Sequence, residues 1–462
     1  MIQTELPGSV SKEVGRFPPL GLLALAAYVR ANSRHAVEVL DLPASGLTYG
    51  ALALRLRANP PDLAGITGTT HNLVEILRTA ETIKAAAPSA RVCLGGPHVD
   101  AFPAEALALK PVDFTVWGEG ERAFLALIEA LAAGRDGSGI GGVSVKRPGS
   151  VAPASAPAEP VEDLDSLPFP ARDLVDSRQY YYVLGRRATF ATIVSSRGCP
   201  FKCIFCSTPH GRYRERSAAG MADEIESCLA SGAEEIHFVD DTFNVRAGRL
   251  AELAREILKR RLRARWSIRA RVDTIEEEGL RLARAAGCVR VHYGVETGTD
   301  EGLRLLRKGI TIAQVDRAVA LARRHKIATA AYFLIGCPHE RTREDVMQTL
   351  RFARRLDPDF AMFNVLAIYP HTELFEMAVK RGLIGAEEWR SFAANPTPDF
   401  RLRFWEEHFT RGELAGLLQT AYRRFYFRPS VIWRNLRALD SWSELRHKAA
   451  AALALLAGRG DA

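Results

Sequence analysis

The sequence predicts an α/β protein with two parallel-sheet units in tandem. A Rossmann-like, flavodoxin-like unit comes first, a partial (β/α)6 barrel follows, and a helical tail closes the chain. Three observations predict this. Short apolar runs alternate with helical stretches as far as residue 395. Glycine and threonine recur at the ends of the early runs. Three of the seven cysteines crowd into one loop directly after an apolar run. A chain of 462 residues is too long for one ordinary core. The reading divides it into residues 1–145, a linker at 146–185, the barrel at 186–395 and the tail at 396–462.

Bulk composition bounds the rest. The chain is 47% hydrophobic and 25% charged, with a net charge of +8. That charge is mild for the length and much of it sits near the C-terminus, so no nucleic-acid partner is expected. Seven cysteines with three in one loop suit a reducing compartment, not a disulfide framework. No secretory leader and no run of about 20 apolar residues is visible. The expectation is a cytoplasmic protein, with peripheral membrane contact as a further option.

In the first unit, Pro19 opens a helix over 19–30. Strand-like runs follow at 37–42, 63–67, 91–94 and 114–117, with a clear helical pattern over 74–87. In a parallel sheet with helices on both faces, ligands bind at the carboxyl ends of the strands. Those ends carry Gly68-Thr69-Thr70-His71, Gly95-Gly96-Pro97-His98 and Gly118-Glu119-Gly120-Glu121. Small residues there let a large ligand approach the backbone. His71 either faces such a ligand or is a polar loop histidine; His98 reads as a loop contact.

Residues 146–160 are rich in Pro, Ala and Ser and read as a linker. Tyr180, Tyr181 and Tyr182 lead into the barrel, where they line a cavity or simply pack between domains. Six strand candidates follow at 189–195, 235–239, 265–270, 289–295, 329–335 and 359–368. Helical stretches lie between them at 219–231, 248–261, 275–286, 312–325 and 342–356. Six such repeats suggest an open parallel barrel with its chemistry at the carboxyl strand ends. Those ends carry Asp240-Asp241, Arg269 and Arg271, Glu296, Cys337-Pro338-His339-Glu340 and Pro370-His371-Thr372. Asp240 or Asp241 reads equally as a helix cap, and either arginine as a solvated charge. Cys93, Cys228 and Cys288 read as small core residues, and Cys337 as a buried turn thiol.

The first candidate strand of the barrel runs into Ser195-Ser196-Arg197-Gly198-Cys199-Pro200-Phe201-Lys202-Cys203-Ile204-Phe205-Cys206. Cys199, Cys203 and Cys206 are spaced C-x3-C-x2-C. Three thiolates can hold three irons of a [4Fe–4S] cluster, whereas an electron-transfer cluster normally has four. The fourth iron then stays open to a cosubstrate. A zinc site is the alternative, with His210 as fourth ligand.

This loop resembles that of the radical S-adenosylmethionine (SAM) enzymes. The glycine-ended first unit resembles the cobalamin-binding domain that precedes the barrel in one large subfamily. The resemblance implies that the open iron chelates SAM, which is cleaved to a 5′-deoxyadenosyl radical. It implies SAM contacts at Phe205 (adenine), Asp241 (amino group), Arg271 (carboxylate) and Glu296 (ribose hydroxyls or amine). It implies cobalamin contacts at Gly68, Thr69, Thr70, His71, Gly95, Gly96, Gly118, Glu119 and Gly120. Two departures stand out. The D-x-H-x-x-G motif that supplies a histidine to cobalt is absent, as is common in the subfamily. The domain's opening strand is only a stub, Met1-Ile2-Gln3-Thr4-Glu5-Leu6-Pro7.

The activity implied is methylation of an unactivated carbon or a phosphorus by way of methylcobalamin. The alternative is a non-methylating cyclase or oxidase reaction on a lipid or porphyrin-like substrate. A sensor without turnover and an RNA-modifying methylthiotransferase are more distant readings. The latter has extra N-terminal cluster cysteines, and here only Cys93 precedes the loop. A small-molecule substrate is expected, with a lipid or aromatic ring system as one class, and an external donor of the flavodoxin or ferredoxin type. In the tail, aromatics and arginines interleave from Tyr422 to Arg437. This reads either as a helix packed on the barrel or as a surface for anionic membranes. The 449–456 run is too short to span a bilayer.

Overall fold

The computed structural model describes residues 1–3, 15–147, 153–154, 156–182, 184–185, 189–208 and 212–437. His210, residues 4–7 of the opening stub, residues 148–152 of the linker and residues 438–462, with the 449–456 run, lie outside the described residues. The described residues fall into two compact units. One takes in those of Met1–Ser9, Arg16–Tyr180 and Gly385–Arg401; the other takes in those of Val10–Gly15, Tyr181–Ile384 and Leu402–Ala462.

The first unit has strands β1 (Ile2–Gln3), β2 (Leu40–Asp41), β3 (Leu63–Thr67), β4 (Arg91–Gly95), β5 (Phe114–Val116) and β6 (Val143–Val145). Its main helices are α1 (Leu20–Asn32), α2 (Tyr49–Ala58), α3 (Leu73–Ala86) and α4 (Gly120–Ala132). The sheet order is β2-β1-β3-β4-β5-β6. Every described pairing is parallel except β5 with β6. The short stub is thus the inner strand β1, paired through Ile2 to both Leu40 and Ile66. The run expected at 37–42 supplies only two strand residues, and the antiparallel edge β6 was not among the expected strands. Side chains alternate across the pleat. Val92 and Leu94 meet Leu73, Ile76 and Ile83 of α3 on one face. Cys93, Phe114 and Val116 meet Phe124 and Leu127 of α4 on the other. An order of 2-1-3-4-5 reverses direction between β1 and β3, which places the ligand crevice at the ends of those strands.

Gly385–Arg401 packs with this unit, although it follows the barrel in sequence. Trp389 and Phe392 of helix Glu388–Ala394 are buried. Phe392 stacks on Phe400 with ring centroids 3.9 Å apart. Arg390 Nε lies 2.9 Å from Glu105 Oε1.

The second unit has strands β7 (Phe190–Ile193), β8 (Glu235–Phe238), β9 (Trp266–Ala270), β10 (Cys288–Glu296), β11 (Ala328–Ile335) and β12 (Phe360–Val365). They form one parallel sheet in the order β12-β11-β10-β9-β8-β7. Between them run α5 (Ala218–Ala230), α6 (Arg249–Lys259), α7 (Glu277–Ala285), α8 (Ile312–Arg324) and α9 (Arg343–Leu356). Every strand and helix expected here forms within a few residues of its predicted range. Local signals account for the helix starts. Thr311 with Gln314 and Thr342 with Asp345 form reciprocal capping boxes, each satisfying donors at a helix start.

Alternation again sorts the side chains. Ile236, Phe238, Ile268, Val291, Tyr293, Phe333 and Phe363 join the helices in the main core. The intervening positions carry Glu235, His237, Ser267, Arg269, Arg290, His292 and Tyr332, so the inner face is polar. α10 (Arg411–Tyr426) lies along β12, the last strand of the row. Tyr422 Oη donates to the Phe363 carbonyl at 3.0 Å and accepts from its N–H at 3.2 Å. Tyr426 Oη does the same for Ala361, at 2.8 and 3.1 Å. Two phenols one helical turn apart therefore pair the backbone of an edge strand, as a seventh strand would. Cys93, Cys228, Cys288 and Cys337 are all buried and form no disulfide.

Candidate functional site

The cysteine loop is held from three sides. Asp240 follows β8 and is buried. Its Oδ1 accepts from Ser195 N at 2.8 Å and Ser196 Oγ at 2.6 Å, and its Oδ2 accepts from Ser195 Oγ at 3.0 Å. Arg249 of α6, also buried, donates from Nη2 to the Ser195 carbonyl and hydroxyl, both at 2.9 Å. Ile204 donates its N–H to Leu306 O at 3.2 Å and accepts from Leu374 N at 2.9 Å. The loop's path is thus set by buried hydrogen bonds at its entry and its middle. Cys199 and Cys206 are half-buried and Cys203 is buried, none in a disulfide. Cys199 Sγ lies 4.0 Å from Thr242 Oγ1. Burial pushes the Cys203 thiol up, and the nearby Lys308 ammonium pulls it back. Three unpaired thiols on one loop at the carboxyl edge of the sheet are a donor set that fits three irons of a cube.

Glu296 ends β10 in the left-handed region, at φ +71°. A glutamate there is strained, and such strain concentrates at functional positions. The β10–β11 register shifts between Gly294 and Glu296, which turns the carboxylate back over Gly294. A Cβ on Gly294 would stand 2.5 Å from Glu296 Oε1 and 2.7 Å from Lys308 Nζ, so any larger residue would push this ion pair aside. Lys308 Nζ donates to Glu296 Oε1 at 2.6 Å, and both side chains are largely buried. Lys308 was not singled out by the sequence; a lysine beyond a short helix carries no motif of its own.

Arg269 in β9 and Arg271 just past its end have separate fates. Arg271 Nε and Nη2 each donate to Asp273 at 2.9 Å, and Nη2 also reaches Lys308 O at 2.9 Å. Its guanidinium lies 3.6 Å from the centroid of the Phe201 ring, a cation–π contact that props the cluster loop. Arg269 is half-buried, and its charge reaches Asp241, His237, His292 and Tyr332. Asp241 is exposed at the lip beside Thr208, unlike the buried Asp240. Phe205 is half-buried near the end of the loop. The structure therefore gathers the cysteines, Phe205, Asp241, Arg271 and Glu296 in one unit at the carboxyl edge. Glu340, in the turn after β11, is occupied locally. It accepts from Gly336 N at 2.8 Å, Cys337 N at 2.9 Å and Thr349 Oγ1 at 3.2 Å.

In the first unit the small residues converge on the strand ends. Gly96 has φ +87°, and a Cβ there would stand 2.4 Å from Thr67 Oγ1. A Cβ on Gly68 would meet Ile76 Cδ1 at 2.5 Å, whereas Gly95 meets nothing closer than 3.6 Å. Thr69 caps the turn Thr70–Asn72, its N–H donating to Asn72 Oδ1 at 2.7 Å. Thr70 Oγ1 lies 3.2 Å from His98 Nδ1. His98 is fully buried, its Nε2 has no partner, and burial lowers its pKa to about 4. The His71 ring meets the edge of Trp389 at 5.4 Å. Gly118 and Glu119 also hold the linker. Gly118 bridges to Ala158, and Glu119 Oε2 accepts from Val161 N at 2.9 Å. Gly120 starts α4 against Leu25. Strand ends built of small residues, with the orphaned His98 nitrogen beside Thr70, fit a large ligand lying along the sheet edge.

Comparison with known proteins identifies a family for each of the two units. Residues 10–128 match the B12 binding domain, and residues 193–353 match the radical SAM superfamily. An uncharacterized methyltransferase of Pyrococcus horikoshii, PH0819, is 34% identical over 425 residues, covering 91% of this chain and 90% of the relative. The anaerobic magnesium-protoporphyrin IX monomethyl ester cyclase of Rubrivivax gelatinosus is 29% identical, over 90% of this chain and 75% of the relative. The fold is similar to that of the radical SAM methyltransferase TsrM of Kitasatospora setae, solved with cobalamin and a [4Fe-4S] cluster. The TM-score is 0.69 at 24% identity, over 82% of this chain and 77% of that one. With both domains matched and a 34% identical relative aligned along nine-tenths of its length, the chain belongs to the B12-binding radical SAM enzymes.

Proposed function

We propose that this protein is a cobalamin-dependent radical SAM methyltransferase that acts on an unactivated carbon or a phosphorus of a small molecule. One observation carries the chemistry: a three-thiol loop anchored at the carboxyl strand ends beside a strained, lysine-paired glutamate. Likeness to a relative named as a methyltransferase favours methyl transfer. When bound, the cluster and SAM supply a carbon-centred radical, and cobalamin carries a methyl group. This chain's residues bind and orient. Cys199, Cys203 and Cys206 hold the cluster. Glu296, oriented by Lys308, takes the ribose hydroxyls or the amine of SAM; Asp241 takes the amine and Phe205 packs on the adenine. Arg271 has Nε and Nη2 engaged, which leaves Nη1 for the SAM carboxylate. Cobalamin lies along the ends of β3, β4 and β5, against Gly68, Thr69, Thr70, His71, Gly95, Gly96, Gly118, Glu119 and Gly120.

The test is anaerobic. Reconstituted protein should carry about four irons and one cobalt per chain and release 5′-deoxyadenosine on reduction. Product formed from CD3-labelled SAM should gain the label. Turnover that leaves the product unlabelled removes the methyltransferase reading and favours ring formation or oxidation, the second reading, which the cyclase relative supports.

The electron reaches the cluster from an external donor of the flavodoxin or ferredoxin type. No helix among the described residues is long and apolar enough to cross a membrane. Phe427, Ile432 and Trp433 are exposed on the tail among arginines, which supports peripheral contact with an anionic membrane. Ile432→Ser with Trp433→Ser should abolish co-sedimentation with phosphatidylserine vesicles; unchanged binding removes that assignment.

A further inference from the structure

The inner face of the barrel sheet sorts its cations into paired and unpaired. Arg290 lies 3.4 Å from Glu235 and donates to Leu184 O. Arg271 is held by Asp273, and Lys308 by Glu296. Arg269 sits among them with no hydrogen bond or ion pair to any described residue. Burying a cation without a partner costs free energy, and proteins tolerate it where water or a ligand supplies the counter-charge.

The polar side chains around Arg269 are paired with one another. His237 Nδ1 is 2.6 Å from Ser267 Oγ, and His292 Nδ1 is 2.8 Å from Tyr332 Oη. His292 Nε2 is 3.4 Å from Tyr182 Oη. Tyr182 stacks on His237 with centroids 5.0 Å apart. Burial holds both imidazoles neutral, well below their usual pKa, so this floor adds no competing cation. Arg269 and His292 are register partners on neighbouring strands, so the guanidinium rises from the row directly beside the floor. Tyr332 and Tyr182 are only half-buried and keep part of their rings open. The Arg269 charge reaches the Asp241 carboxylate, and the two form no ion pair.

We propose that the barrel interior receives a substrate with a carboxylate or phosphate that pairs with Arg269 and an apolar or aromatic body that rests on Tyr332 and Tyr182. Arg269 stands one pleat deeper than Arg271, the arginine that props the cluster loop, about 7 Å along the strand. The anion would therefore sit below Arg271, the arginine assigned to the SAM carboxylate, and so belongs to the substrate, not to the cosubstrate.

The inference rests on the radical SAM reading, and the test separates the two. Cluster- and cobalamin-loaded protein is titrated calorimetrically with SAM, then with 2-naphthoate, naphthyl phosphate and the neutral 2-naphthamide. Iron content and SAM binding by the wild type report on the radical SAM reading alone. The expected result is binding of at least one naphthyl anion, none of the amide, a tenfold or greater loss in Arg269→Gln, partial retention in Arg269→Lys, and SAM affinity within twofold throughout. Wild-type iron content and circular dichroism identify the variants that remain folded. A tenfold loss of SAM affinity in Arg269→Gln reassigns the arginine to the cosubstrate. Equal binding of anion and amide, anion binding unchanged in Arg269→Gln, or no naphthyl anion bound by the wild type overturns the proposal.

Discussion

Lys308 Nζ donates to Glu296 Oε1 at 2.6 Å, and the glutamate that accepts this bond holds a left-handed backbone at the end of β10. The pair gives a buried carboxylate its counter-charge and its direction. Replacing Lys308 with Met leaves Glu296 buried and unpaired, a change that typically costs ~3–5 kcal/mol. Lys308→Met should lower the melting temperature and weaken SAM binding to the cluster-loaded protein at least tenfold. Lys308→Arg should retain part of both. Calorimetric SAM titration checks this; wild-type affinity in Lys308→Met would mean that Glu296 does not meet SAM.

Asp240 latches the entry of the cluster loop through three hydrogen bonds to Ser195 and Ser196. Asp240→Ala removes a charged acceptor from buried donors, at ~1–3 kcal/mol for each group left unsatisfied. Iron retained after anaerobic desalting should fall well below the wild-type value. Asp241→Ala, at the exposed lip, should keep its iron.

Gly96 adopts φ +87° with Thr67 Oγ1 where a Cβ would go. Gly96→Ala is expected to cost ~1–3 kcal/mol in backbone strain and to displace the Thr67 hydroxyl. Cobalt content after reconstitution should drop while iron content holds, because the cluster loop belongs to the other unit.

His98 is buried and neutral, with its pKa lowered from 6.5 to about 4. Between those values the unfolded chain binds a proton that the folded chain does not, so stability falls as pH drops through this window. The loss is up to roughly 3 kcal/mol, at about 1.4 kcal/mol for each pKa unit. Melting temperatures measured from pH 7 down to pH 4.5 should fall less steeply for His98→Gln than for the wild type.

The phenols of Tyr422 and Tyr426 pair four backbone groups of β12. Tyr422→Phe should cost ~1–3 kcal/mol by leaving Phe363 N–H and C=O without their partner. The double change to Phe should expose the strand edge and raise aggregation on heating, measured by light scattering.

Periodicity and spacing in the sequence were enough for the six barrel strands, the helices between them, the small-residue ends of β3, β4 and β5, and the three-thiol loop. These are local properties, written in alternation, capping pairs and cysteine spacing within a few residues. Tertiary structure decided what depends on distant neighbours. It made the two-residue stub an inner strand, because Leu40 and Ile66 flank Ile2. It returned Gly385–Arg401 to the first unit, because Trp389 and Phe392 find their apolar partners there. It separated Asp240, a buried latch, from Asp241 at the lip, and a propping Arg271 from an unpaired Arg269. Adjacent or near-adjacent residues of one type look alike in sequence; the side chains that reach them from other strands make them different.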